Sequence, residues 1–576
     1  MSEPAISNSE DQNASAVLAL ALTNQAGAQI PHSATRFVLP FNLRRAKLAP
    51  TGGRTNLPRA QPTPVYRKAA STDDGQTDWI WVNIAARRKY FTDETQKVLF
   101  ERATWWVMDC CGQPITMTAP DDNVLRGIVR PPALILFEQL SGEDLLCRGF
   151  LVVEVAFQGN ADGQVRLDDL LLFNELFRYW REPWMGHSVE FAKQLGGFNA
   201  PFRTMAQLSA ASCPTGNFSY AERWLLMLQV PLADGLTLLT DAPKDPDTVF
   251  GDYADDRAFV WTRALLSEPE MRRIIPYERD SSGFRKAVVH PRDGFRDMFG
   301  YWVKLLNADK PLMDYQGGSP SRYKEWTQTN GTTAFERDWA AKHTYRRWEE
   351  EDCYYGFNMH CAAMLSKAPP EYLPTWLHWF QMYFDQVLLL LYLRVTLFAF
   401  SRGLTEISSE MAGAIGRQRA GDLLGNWQQN FRKLRRAFTC FENLYQFPLL
   451  SNQQQAVEMY ECARRSMDID ALYEEISKEV RSSDELLQNE LEEERSEYAH
   501  VLNHVAAVGL GLSVALSCYQ IDGFQSWWAE CCVGHATVAP FLWAIIWVML
   551  FLVLVEILKR CRRARTRRGS TLGELP

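Results

Sequence analysis

Residues Val501 to Tyr519 read VLNHVAAVGLGLSVALSCY, and residues Val538 to Leu558 read VAPFLWAIIWVMLFLVLVEIL. About twenty apolar residues rising 1.5 Å each cross a hydrocarbon core of roughly 30 Å, so both stretches have the length of a membrane span. The first contains Asn503, His504, Gly509 and Gly511 but no formal charge, which permits insertion. Lys559, Arg560, Arg562, Arg563, Arg565, Arg567 and Arg568 follow the second stretch, whereas the connection 520–537 has no Lys or Arg. Positive residues stay on the cytoplasmic side, so the sequence predicts a hairpin with both termini cytoplasmic and a short outer loop. The alternative is a single-span, tail-anchored protein in which 501–519 is a buried soluble helix.

Working back toward the N-terminus, Ser451 to His500 is expected as one long acidic helix leading into the first span, capped by Ser451 or Asn452. Leu472, Ile476, Val480, Leu487, Leu491 and Tyr498 form an apolar stripe that needs a partner helix, as in a coiled coil. The rest is rich in Glu, either a solvated surface or a shaft that concentrates cations near a pore mouth. At 100° per residue, Asn503, Ala506, Ala507, Leu510, Ser513, Val514 and Ser517 share one side of the first span. That small, mildly polar side could line a narrow wet path in a bundle of identical subunits, or could simply let helices approach closely. Asp522 and Glu530 add acidic groups in the outer loop. Oxygen ligands of these kinds suit hard divalent cations.

The remainder is expected to form an α/β body. Trp79–Ile84, Ala133–Phe137, Phe150–Phe157, Trp224–Val230 and Ala258–Trp261 read as strands. Thr92–Met108 and Asp168–Trp180 read as helices. Residues 47–77 read as an exposed connection, and the Ser/Asn/Ala-rich segment 1–35 as a disordered N-terminus. The run Pro374–Ile407 is long and apolar, but Asp385 and Arg394 would each cost roughly 2.5–3.5 kcal/mol mid-membrane, so a buried helix is expected. Gly413, Gly416, Gly421 and Gly425 read as a loop before a helix over Trp427–Phe441. The expected organisation is therefore 36–370 α/β region, 371–450 helical bundle, 451–500 stalk, 501–519 and 538–558 spans, 520–537 outer loop and 559–576 basic tail.

Within 323–364, Arg346, Arg347, Trp348 and Tyr355 could form a pocket for an anionic small-molecule regulator, or an aromatic helix surface with internal ion pairs. His360 beside Cys361 fits no zinc spacing and reads as a core histidine. The net charge of −8 and pI near 5.8 argue against a nucleic-acid binder. The 12 cysteines show no CxxC, so neither a disulfide framework nor a zinc site is legible. No GxSxG, P-loop, HExxH or GxGxxG stands in a suitable context, which ranks a membrane-tethered enzyme last.

This layout, an α/β region, a long stalk helix and a C-terminal two-helix transmembrane hairpin, resembles the CorA-type divalent-cation channel superfamily. The likeness covers roughly 374–568. It implies a homopentamer in a membrane, a bacterial inner (plasma) membrane by expectation, with a pore lined by the first span. It also implies passive transport of Mg2+ or another divalent cation, with lipid as a partner and no covalent cofactor. In the family a Tyr-Gly-Met-Asn signature ends the first span. Here Tyr519 is followed by Gln520, Ile521 and Asp522, so the Tyr is kept and the Gly-Met-Asn is not. The alternative function is a ligand-gated membrane effector of bacterial defence or stress, its cytosolic region sensing a small molecule.

Overall fold

In a computed structural model, the described residues are 33–44, 49–50, 65–70, 78–118, 124–139, 146–157, 165–181, 220–234, 236–239, 245–251, 255–266, 271–272, 274–275, 277–279, 281–282, 285–287, 299–309, 334–367, 378–416, 420–445, 449–519, 530 and 545–546. The chain divides into two compact units, Met1–Ser477 and Lys478–Pro576.

The first unit is built on strand β1, Ser33–Arg44, whose side chains alternate between two apolar faces. Phe37, Leu39, Phe41 and Leu43 join the largest core cluster, while Arg36 and Val38 turn the other way. Such a doubly buried strand belongs in the middle of a sheet. Around it lie β2 (Tyr66–Lys68), β3 (Thr104–Met108), β4 (Gln113–Thr118), β5 (Val124–Val129), β6 (Ala133–Gln139), β7 (Leu146–Phe157), β8 (Phe259–Leu266), β9 (Thr344–Tyr345), β10 (Cys353–Phe357) and β11 (Cys361–Lys367). Their order is β9-β10-β11-β8-β1-β7-β6-β3-β2, with β4 paired to β5 and β5 to β7. β1 runs antiparallel to β7 from Ser33↔Phe157 to Arg44↔Leu146 and to β8 from Ala34↔Arg263 to Val38↔Phe259. β8 and β11 pair in parallel, Val260 opposite Cys361.

Helices cover both faces. Helix α2 (Leu167–Phe177) stacks Phe173 and Phe177 onto Phe37, and α3 (Tyr220–Leu228) adds Trp224. Helix α4 (Phe299–Asn307) lies so close to β10 that a Cβ on Gly356 would stand 2.0 Å from Leu306 Cδ2, so any larger residue there would have to displace the buried Leu306 and Trp302 side chains. Helix α5 (Ala334–Lys342) follows. The opposite face takes a wide turn, Trp379–Tyr383, and the 33-residue helix α6, Phe384–Gly416. Trp379 stacks on Trp261 of β8 with centroids 3.8 Å apart, and Arg36 lies under Phe380 and Phe384 while its Nε donates to Glu154 at 2.6 Å.

As expected from its two charges, the long apolar run is a core helix. Among the described residues, Trp379–Glu410 is the one helix long and apolar enough to cross a membrane, and 72% of its apolar window is buried. Asp385 receives two hydrogen bonds from Arg87 of α1 (Ile84–Tyr90), at 2.8 and 2.6 Å. Arg394 donates to the Met359 carbonyl oxygen at 2.7 Å. Helices α7 (Ala420–Tyr445), α8 (Gln454–Ser466) and α9 (Ile469–Tyr519) complete the described chain.

Several expected elements differ. Trp79–Ile84 is a turn entering α1, not a strand, because Asn83 adopts a left-handed φ of 56° and ends extended pairing. Thr92–Met108 is not one helix: a short helix, Asp93–Gln96, and a wide turn, Lys97–Arg102, give way to β3, whose Trp105 and Trp106 pair with Ile135 and Leu134 of β6. Trp224–Val230 is mostly α3 rather than a strand, since its apolar residues also satisfy a helical stripe. Tyr66 and the rest of β2 lie within 47–77, and Tyr66 is fully buried, so that segment is not wholly an exposed connection. The glycine-rich loop is shorter than expected: Gly413 and Gly416 belong to α6, Gly421 and Gly425 to α7. Ser451–His500 is interrupted at Met467 and Asp468, where Asp468 has φ 51°. Residues 1–32 and 559–576 lie outside the described residues, as do the outer loop except Glu530 and the second stretch except Ile545 and Ile546.

Candidate functional site

Helix α9 carries the residues expected to line a path. It contains 51 residues, about 76 Å of continuous helix at 1.5 Å per residue. Up to Glu497 its open positions are mostly charged or polar: Glu474, Glu475, Glu479, Glu485, Glu492 and Glu497 are exposed, while Ile476, Val480 and Leu487 are buried and Leu486 is the one large apolar side chain left open among the described residues of this part. From Val501 the helix continues without a charged side chain, and its large apolar groups become open. Val501, Leu502, Val505 and Leu510 are 62–69% exposed. An apolar helix surface of that size is normally covered by lipid or by other chains.

On the side expected to face a path, Asn503, Ala506, Ala507, Leu510, Ser513 and Ser517 are all exposed. Ser517 Oγ donates to the Ser513 carbonyl oxygen at 2.8 Å, so this hydroxyl is folded back on its own helix. Tyr519 is the last helical residue, and Glu530 is exposed. The side chains of Val514 and Tyr519, and Asp522 altogether, lie outside the described residues.

The aromatic and arginine group at 346–355 is distributed rather than convergent. Arg347 donates to both carboxylate oxygens of Glu458 on α8 at 2.9 Å, and its guanidinium lies 6.0 Å from the Trp348 ring. Tyr345 donates to the same carboxylate at 2.8 Å. Those hydrogen bonds, from Tyr345 first and then Arg347, hold Glu458 below the usual carboxylate range. Burial, reinforced by Glu458, pushes the Tyr345 phenol up. Tyr355 points inward from β10, fully buried between Trp379 and Tyr383 at 5.4 and 5.6 Å, and Arg346 is exposed. The group therefore works as a fastening between the β9–β10 hairpin and α8, with Tyr355 belonging to the core.

Glu458 was not legible as a partner, because its link to Tyr345 spans 113 residues of sequence. The same holds for Arg36 with Glu154 and Arg87 with Asp385, two buried ion pairs whose partners are remote in sequence. His360, expected in the core, is about one-third exposed, with Nδ1 2.5 Å from Asp255 Oδ2. Burial alone would raise Asp255, but His360 and Arg257 override it and pull its carboxyl well below the ordinary value. Among the described residues no three His, Cys, Asp or Glu side chains are gathered as a metal cluster. Comparison with models of known families, with curated proteins and with solved structures gives no match.

Proposed function

We propose that this protein is a homo-oligomeric membrane channel of divergent CorA type that passes divalent cations down their gradient, with α9 as its path-lining helix. The observation that carries the reading is the composition of α9. One uninterrupted helix changes at Val501 from acid-rich to uncharged with open apolar side chains, and its last 19 residues extend about 28 Å, the thickness of a hydrocarbon core. A second apolar stretch, whose one formal charge is Glu556 near its end, and a cluster of seven Lys and Arg follow in the sequence, the pattern of a cytoplasmic-ended hairpin. The buried α6 supports the assignment indirectly, since the longest apolar run before these stretches is accounted for within the first unit.

In this reading the Glu-rich part of α9 raises the local concentration of cations, and the amide and hydroxyls of Asn503, Ser513 and Ser517 offer oxygen ligands to partly hydrated ions. Purified protein in liposomes should pass Mg2+, Ni2+ or Co2+. Absence of flux for all three would refute the proposal. Asn503→Leu should lower flux at least about tenfold without changing assembly, and unchanged flux would show that another side of α9 faces the path.

The size of the first unit, Met1–Ser477, together with the missing Gly-Met-Asn, favours a second reading: an effector that permeabilises the membrane after its body binds a small molecule. Liposome leakage that depends on an added nucleotide or other anion, with no basal flux, would select it.

A further inference from the structure

Helix α9 bears a second group of chemistry-bearing side chains, away from the Asn503 side. Glu497, His500 and His504 follow one another at spacings of three and four, which brings them within roughly 60° of arc on successive turns. Nδ1 of His504 lies 2.7 Å from the His500 carbonyl oxygen. A carbonyl can only accept, so Nδ1 carries the proton and the ring's lone pair resides on Nε2. Imidazoles that ligate metals are commonly fixed in this way, one nitrogen donating to a carbonyl so that the other is presented as a base. Glu497 and His504 are exposed and His500 is half-buried, so a cation can reach this surface from solvent.

Two imidazoles one helical turn apart, preceded by a carboxylate, form a nitrogen-rich donor set. Zinc, nickel and cobalt accept imidazole readily, whereas Mg2+ prefers oxygen and keeps its water. We propose that Glu497, His500 and His504 bind a borderline divalent cation of the zinc, nickel or cobalt class where the acidic part of α9 becomes uncharged. The donors are not drawn together beforehand. The two imidazoles hold the ion first, the exposed Glu497 carboxylate swings onto it, and water fills the remaining positions. The group lies about a quarter of a turn around the helix from Asn503, so the ion is held beside the proposed path, and the inference holds whether or not the protein conducts.

Titration of the full-length protein in detergent with Co2+ tests this. One ion per chain is expected, with a nitrogen-and-oxygen ligand-field spectrum and none of the intense near-ultraviolet absorption that cysteine thiolates give with cobalt. Zn2+ should displace it, and a large excess of Mg2+ should not. His504→Gln should weaken Co2+ binding at least about tenfold with helix content unchanged, and Glu497→Gln by a smaller factor. Unaltered affinity in both His500→Gln and His504→Gln, or a spectrum of thiolate type alone, would overturn the proposal. Flux of the same preparations in liposomes is a separate measurement: cobalt binding as expected without any flux would refute conduction and leave this site standing.

Discussion

Asp385 illustrates how much a single residue can hold in this body. Its carboxylate is fully enclosed and accepts both hydrogen bonds from Arg87, itself nearly as buried. Removing one partner leaves a desolvated charge, so Asp385→Ala should destabilise the protein by about 3–5 kcal/mol, read as a fall in thermal midpoint in detergent. Replacing both partners, Arg87→Met with Asp385→Leu, should recover most of that loss. His378 makes a different prediction. Burial lowers its pKa below 6.5, so the folded protein favours the neutral ring. A depressed folded value means that the stabilising preference is complete above pH 6.5 and is lost as the pH falls through the folded value. His378→Phe should therefore reduce the drop in midpoint between about pH 7.5 and pH 5, and an identical drop in both proteins would assign acid sensitivity elsewhere.

At the scale of elements, the break between α8 and α9 rests on Asp468. Its φ of 51° is tolerable for Asp and poor for a branched side chain, so Asp468→Val should cost about 1–2 kcal/mol while Asp468→Gly stays within about 0.5 kcal/mol. Thermal unfolding would check the difference, and equal effects would show that the turn adapts. This break was not legible in the sequence, where the stripe Leu472 to Leu487 suggests continuity with α8. The strand β7 and helix α2 were legible because Phe150–Phe157 is bounded by charged and glycine residues and Asp168 begins a helical stripe. Trp105 and Trp106 were misread because their apolar spacing fits a helix as well as a strand, and the pairing to β6 that decides between them is formed about thirty residues later. Short apolar runs acquire their geometry from partners, and the partners of β1 are more than a hundred residues away.

For the whole molecule, the division at Ser477 sets a practical expectation: a chain ended there should remain monodisperse in buffer without detergent, whereas the full chain should require it. Size-exclusion chromatography would check this, and aggregation of the shortened chain would mean that apolar surface within the first unit needs cover. The change from an acidic to an uncharged surface along α9 was legible because charge and hydropathy are properties of composition, while the role of Arg347 and Tyr355 depended on which surfaces meet. One topological fact bears on how the protein is made. Ala34 of β1 waits for Arg263, and Val260 for Cys361, so on the ribosome the first central strand emerges long before its neighbours and the sheet cannot close until residue 367 has been translated. The greasy carboxyl-terminal stretches are synthesised after that, so every strand of the central sheet has been made before those stretches leave the ribosome.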